Sequence, residues 1–224
     1  STTVREYHTT YAAHILGSMG AMDADDWAKY EDQGYSMDAQ IGQSGFEEAF
    51  EEYLHGIDGQ RYDAVSKDGT IIEQRYVDGK EPIAGSNVET TIDIDIQKIA
   101  EDALADAMDS FTNPDRNTST SGDGLDAQGA AVVVMKVKTG EILACASYPT
   151  YNLATMQDDW DELIKDDLHP FFNRAFGAAY APGSTYKPST LTAAMMNGLY
   201  QRGEIITDEG VFTKYDGFRP KCLF

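Results

Sequence analysis

Basic side chains are scarce in this chain. Lys and Arg together number 17 against 38 Asp and Glu, a net charge of −21. Nucleic-acid binders present clustered Lys and Arg, so the balance argues against a phosphate-tracking surface. It argues equally against docking on anionic lipid by charge. Cysteine is nearly absent: Cys145 and Cys222 cannot build a disulfide framework. Cys145 lies inside an apolar run and reads as a small buried hydrophobe. No apolar run approaches the roughly 20 residues that span a bilayer. No signal peptide is visible, and the opening Ser1-Thr2-Thr3 reads as a processed or trimmed start. The four histidines (His8, His14, His55, His169) show no H-E-x-x-H spacing, so no metal site is expected from them. The loop from Asp115 to Asp126 loosely echoes a calcium loop. It lacks the sixth-position Gly and ends in Asp rather than Glu. There is no phosphate-cradling glycine loop, and no cofactor is implied.

What is present is an ordinary globular composition, 42% apolar over 224 residues. One or two domains fit that length. The charge is uneven. Residues 1–60 hold two basic and twelve acidic side chains, whereas residues 161–224 hold seven and eight. The back of the chain is electrically a different neighbourhood.

The pattern along the chain is mixed. Weak helix is expected within residues 1–40. In residues 44–55, Ser44 and Glu47 form an S-x-x-E capping box ahead of Phe46, Ala49, Phe50, Tyr53 and Leu54 at helical spacing. Gly56 reads as the C-cap, and the acidic run 47–52 as a solvated helix face. Asp68-Gly69 and Asp78-Gly79 between apolar runs signal short antiparallel strands over 60–83. A second unit begins near Ser86. Val88–Ile92 reads as a strand, and Asp93 or Asp95 as the N-cap of a helix to about Phe111. Its apolar face runs through Ile96, Ile99, Ala100, Ala103, Leu104, Ala107 and Met108. Residues 112–126 form a polar loop. Ala130–Val137, Lys138-Thr139-Gly140 and Glu141–Tyr148 spell a buried β-hairpin. A helix from about Ser184 to Asn197 is stopped by Gly198. The expected class is α+β: a small helix and hairpin domain over 1–85, then a mixed α/β sandwich over 86–224.

Ser184-Thr185-Tyr186-Lys187 is an S-x-x-K. On the first turn of a helix, positions i and i+3 share a face. A neutral Lys there can take the Ser hydroxyl proton and turn Ser184 into a nucleophile. The helix N-terminus disfavours a nearby cation, and its N–H groups can stabilise an oxyanion. With 12 Ser and 10 Lys, chance alone supplies about half an S-x-x-K. The alternative reading is therefore an ordinary helix cap with a solvated Lys. Lys138-Thr139-Gly140 matches the K-T-G that accompanies S-x-x-K in penicillin-recognising enzymes. It precedes the Ser and sits at a hairpin tip, so it reads as a turn. No S-x-N occurs in the chain.

The surroundings of Ser184 add specificity. Asn173-Arg174-Ala175, then Tyr180-Ala-Pro-Gly-Ser-Thr-Tyr-Lys-Pro188, resembles the active-site segment of class B penicillin-binding proteins, the peptidoglycan D,D-transpeptidases. Three further segments fit in the family's order. Gly42-Gln-Ser-Gly45-Phe-Glu47 with Tyr53-Leu54, Gly56 and Gly59 is similar to the signature of the non-catalytic pedestal. Thr91-Ile-Asp93 with Ile96-Gln97 and Ala100-Glu101 resembles the opening of the transpeptidase domain. Ala131–Val134 with Lys138–Leu143 and Ser147-Tyr-Pro149 resembles its first hairpin. Tyr186 stands where the family commonly has Phe.

The resemblance implies roles. Ser184 would be the acyl-accepting nucleophile toward peptidoglycan stem peptides, Lys187 its activating base, and the Ser184 N–H half of an oxyanion hole. β-Lactam antibiotics would acylate the same Ser. It also implies no metal or organic cofactor and no nucleic-acid partner. Other cell-wall synthesis proteins are expected as partners. An N-terminal membrane anchor outside this sequence would place the work at the extracytoplasmic face of the bacterial membrane. The family's S-x-N element, catalytic K-T-G and second oxyanion donor would lie beyond Phe224. Residues 1–224 alone are therefore expected to bind β-lactam poorly. Two alternatives stay open at this point: a β-lactamase or β-lactam sensor sharing the S-x-x-K site, and a non-enzymatic cell-wall or divisome scaffold.

Overall fold

The computed structural model describes residues 5–221. They fall into two compact units, within residues 1–178 and 179–224. Cys222 lies outside the described residues.

The first unit opens with α1 (Ala13–Leu16), β1 (Met19–Ala21) and α2 (Ala24–Tyr30). Asp23 starts α2 with a full capping box. Its carboxylate accepts from the N–H groups of Asp25 and Asp26, and Asp26 returns the bond to Asp23 N. Strand β2 (Gln40–Gly42) pairs antiparallel with β1.

Residues 44–55 are helical but broken into α3 (Gly45–Ala49) and α4 (Glu51–Leu54) at Phe50. The expected capping box is absent. Ser44 Oγ is engaged by Ser18 instead, accepting from Ser18 N at 3.0 Å. The acidic run is not a solvated face either. Glu47 and Glu51 are both buried, because the short helices pack their i, i+4 stripe inward and polar partners wait there. Gly56 is not a left-handed cap. The helix ends at an extended His55, and a Cβ on Gly56 would press on the Ile83–Gly85 backbone, which runs alongside through the Ile57–Ile83 bridge.

Strands β3 (Arg61–Val65) and β4 (Ile71–Tyr76) form the expected hairpin. Gly69 takes the left-handed conformation at its turn (φ +86°). The expected strand at Val88–Ile92 does not form. That segment lies in extended contact with the start of β6 through single bonds, Thr91 Oγ1 to Ile142 O and Asp93 N to Leu143 O.

Helix α5 (Ile94–Thr112) begins at Asp93, whose carboxylate accepts from Asp95 N and Ile96 N. It packs on a hairpin of β5 (Ala130–Met135) and β6 (Ile142–Tyr148), joined through a turn at Lys138-Thr139-Gly140 with Gly140 at φ +79°. The buried stripe of α5 is Gln97, Ala100, Leu104 and Met108. Ile99 and Ala103, expected on that face, point to solvent. Ala100 and Leu104 meet Ala144 and Ala146 of β6, whose small side chains let the helix approach closely. A second cluster joins Ala13 to Tyr151, Leu153 and Met156. Short helices α6 (Trp160–Leu163) and α7 (Arg174–Gly177) complete the unit.

The second unit holds a 3₁₀ turn at Gly183–Tyr186 that runs into α8 (Lys187–Met196). Gly198 follows at φ +67°, as a helix stop requires. Among the described residues, no helix is long and apolar enough to cross a membrane.

Candidate active site

Ser184 and Lys187 sit at the start of the 3₁₀–α8 helix. Pro182 opens the turn, and Gly183 follows in the left-handed region (φ +54°), which a side chain disfavours. The N–H of Thr185 donates to Pro182 O at 3.3 Å, and the N–H of Lys187 closes the turn on Ser184 O. This is i to i+3 bonding, with three residues per turn. In such a turn the residues at i and i+3, here Ser184 and Lys187, stand on one face of the helix. Pro188 falls in the first turn of α8, where a missing N–H costs nothing. Ser184 and Lys187 are both exposed.

The Asn173-Arg174-Ala175 segment, in the first unit, is a structural clamp. Ser147 Oγ of β6 accepts from the N–H groups of Arg174 (3.0 Å) and Ala175 (3.3 Å) and donates to Asn173 Oδ1 (3.3 Å). The Arg174 side chain is buried, and backbone carbonyls receive it. Its Nη1 donates to His169 O at 3.2 Å and Phe172 O at 3.3 Å, and its Nη2 donates to Leu168 O. Gly129 leaves the space: a Cβ there would collide with Arg174 Nε. The guanidinium therefore holds the 168–172 loop, while the Arg174 and Ala175 N–H groups anchor the segment to β6 through Ser147.

Family models match over most of the chain. The penicillin-binding protein dimerisation domain matches residues 1–90, and the penicillin-binding protein transpeptidase domain matches residues 130–220. The chain belongs to the penicillin-binding proteins. Among curated penicillin-binding relatives, the peptidoglycan D,D-transpeptidase MrdA of Acinetobacter baumannii is 27% identical over 92% of this chain. MrdA of Haemophilus influenzae is 30% identical over 88%, and penicillin-binding protein 3 of Bacillus subtilis is 29% identical over 88%. The chain spans 28%, 28% and 26% of their respective lengths. Solved structures give the same family. One, described as a peptidoglycan synthase complex coordinating polymerization and crosslinking, is 27% identical. It superposes with TM-score 0.79 over 96% of this chain and 37% of that one. Pseudomonas aeruginosa PBP2 in complex with WCK 5153 is 25% identical, with TM-score 0.71 over 97% and 41%.

Within this penicillin-binding framework the first unit holds buried polar groups that patterning missed. Glu47 pairs with Arg5. Glu51 accepts from Gly42 N at 2.8 Å and Tyr35 OH at 3.2 Å and faces His55 Nδ1 at 3.4 Å. Tyr35 stacks on His55 with ring centroids 3.8 Å apart. Burial, then the Glu51 carboxylate, holds the Tyr35 phenol well above its ordinary value. Arg5, Glu47, Glu51 and His55 border a polar cavity of about 470 Å³ that Ser86 and Asn87 also line. Gln97 was equally hidden. Only 1% exposed, its amide accepts from Cys145 N (2.7 Å) and donates to Cys145 O (2.9 Å), as a neighbouring strand would. Glu101 then joins Gln97 Nε2 to Ala12 N, each at 2.7 Å. The sequence signal was available: a polar residue in register with the apolar stripe of α5, at its N-terminal end. Cys145 is buried as expected, and burial pushes its thiol up.

Proposed function

We propose that the protein containing this chain is a serine D,D-transpeptidase that cross-links peptidoglycan stem peptides. One observation carries the reading. Ser184 and Lys187 stand one 3₁₀ turn apart at a helix start, inside the stretch that matches the transpeptidase family. In this reading the Lys187 amine takes the Ser184 Oγ proton as Oγ attacks the carbonyl carbon of the penultimate D-Ala. The Ser184 N–H donates to the oxyanion. The terminal D-Ala leaves as the amine, carrying the proton. An amine of a second stem peptide then attacks the serine ester and regenerates Ser184. A β-lactam carbonyl enters the same first step, and the ring nitrogen is the leaving group.

Residues 1–85 serve in this reading as the non-catalytic pedestal and 86–224 as the first part of the transpeptidase domain. The relatives' names support an extracytoplasmic, membrane-associated setting among other cell-wall synthesis proteins.

The test uses the full-length protein of the uninterrupted reading frame. It is incubated with benzylpenicillin and analysed by intact mass and peptide mapping. A stable adduct on Ser184 is expected, absent in Ser184→Ala. Lys187→Ala should slow acylation by roughly 10²–10⁴-fold, the usual worth of a positioned base. A well-folded full-length protein with no adduct would sink the reading.

A further inference from the structure

The segment 158–172 joins an apolar recess to a dense band of carboxylates. Leu163, Ile164, His169, Phe171 and Phe172 line a surface cavity of about 490 Å³. Trp160 (43% exposed), Ile164 (57%) and Phe172 (45%) present apolar surface beside it. Within residues 158–167 stand six exposed acids, Asp158, Asp159, Asp161, Glu162, Asp166 and Asp167, against Lys165 alone.

The recess is held rigidly. Trp160 packs on Phe171 (5.2 Å between centroids), Phe171 on Tyr151 (4.8 Å) and Tyr151 on His14 (5.2 Å), an aromatic chain from surface to core. Phe172 lies over Gly177, where a Cβ would come within 2.7 Å of its ring. The buried Arg174 guanidinium sits 5.7 Å from the Phe172 ring and holds the His169 and Phe172 carbonyls. Rigid apolar anchors lose little entropy when something docks on them.

Charge selects the occupant. A second copy would bring the same acidic band to the same place and a net −21 with it. An anionic lipid surface is repelled for the same reason. We infer that this face docks a cationic segment of another protein, with Lys or Arg side chains on the carboxylate rim and one bulky aliphatic or aromatic side chain in the recess. The rim governs encounter rate and salt dependence, and the recess governs residence.

The experiment measures fluorescence anisotropy of a labelled twelve-residue peptide that alternates Lys pairs with Leu and Phe. Its counterpart with Glu for Lys is measured in parallel. Asp158→Asn, Asp161→Asn, Glu162→Gln and Asp167→Asn are combined in one variant. These four are exposed, and none caps a helix. A control variant removes the same charge elsewhere: Glu31→Gln, Asp32→Asn, Glu48→Gln and Glu52→Gln. The Lys peptide should bind the parent and the Glu peptide should not. The rim variant should weaken binding roughly tenfold and flatten the salt slope. The control should change it less than about twofold, the effect of distant screened charge. Ile164→Ser should weaken binding at every salt concentration and leave the slope intact. Equal loss in rim and control variants would overturn the inference, since the peptide would then be reading net charge alone. So would unchanged affinity in Ile164→Ser, binding of the Glu peptide, or concentration-dependent dimerisation of the parent that the rim variant abolishes. Thermal midpoints of all variants check that each is folded.

Discussion

Gln97 shows how one side chain can stand in for a strand. Its amide satisfies both backbone groups of Cys145 on the edge of β6 that β5 does not cover. Gln97→Leu keeps the volume but leaves that buried N–H and C=O unpaired. The expected cost is about 2–4 kcal/mol by urea unfolding, since each orphaned group costs about 1–3 kcal/mol. His14 makes a second residue-scale prediction. Its Nε2 donates to Pro170 O at 2.6 Å, and burial first, then Arg174, holds its pKa below the ordinary 6.5. The unfolded chain therefore binds a proton that the folded chain refuses. Stability from this site is complete above about pH 6.5 and drains away as pH falls below it. His14→Gln should flatten that part of the stability–pH curve, and a profile as steep as the parent's would contradict the assignment.

At the scale of elements, the start of α8 depends on one backbone conformation. Gly183 at φ +54° turns the chain so that Ser184 opens the 3₁₀ turn. Gly183→Ala imposes about 1–2 kcal/mol of local strain, with open space around the new methyl. That strain should lower the unfolding midpoint by roughly 2–8 °C. β-Lactam acylation of the full-length protein should slow several-fold, because the strain falls on the Ser184–Lys187 alignment. Helix α5 is the opposite case, where packing dominates. Leu104 is buried against Ala144 and Ala146 of β6, so Leu104→Ala should cost about 2–5 kcal/mol. Denaturant titration followed by circular dichroism reads that directly.

For the whole molecule, charge repulsion is the force to reckon with. A net −21 repels itself, most strongly where residues 1–60 concentrate it. Screening over a Debye length of about 10 Å at 0.1 M salt should relieve this. The thermal midpoint of the chain should rise when sodium chloride is raised from about 0.01 M to about 0.15 M, where the Debye length falls from about 30 Å to about 8 Å. A flat or falling midpoint would show that paired carboxylates outweigh repulsion. Some pairing is built in: Glu47 with Arg5, Lys98 with Asp102, and Arg116 with Asp106 and Asp109.

Local chemistry was legible in the sequence. The Asp93 cap, the two hairpins with their left-handed glycines, the length of α5 and the Pro-Gly start of the Ser184 helix all follow from interactions within a few residues. So did the α+β class and the family, since ordered motifs survive without any knowledge of packing. What the sequence hid were groups whose partners lie far along the chain. Glu47 and Glu51 looked like solvated helix positions because nothing local announces Arg5, Gly42 or Tyr35. Val88–Ile92 looked like a strand because its apolar residues are real, but only the tertiary structure reveals that β6 offers it isolated bonds rather than a ladder. Arg174 read as one residue of an active-site segment and proved to be a clamp, because only the folded 168–172 loop supplies the carbonyls that hold it. Local geometry is encoded by short-range sterics and hydrogen bonding; the fate of a buried charge is decided by which distant group folding brings to meet it.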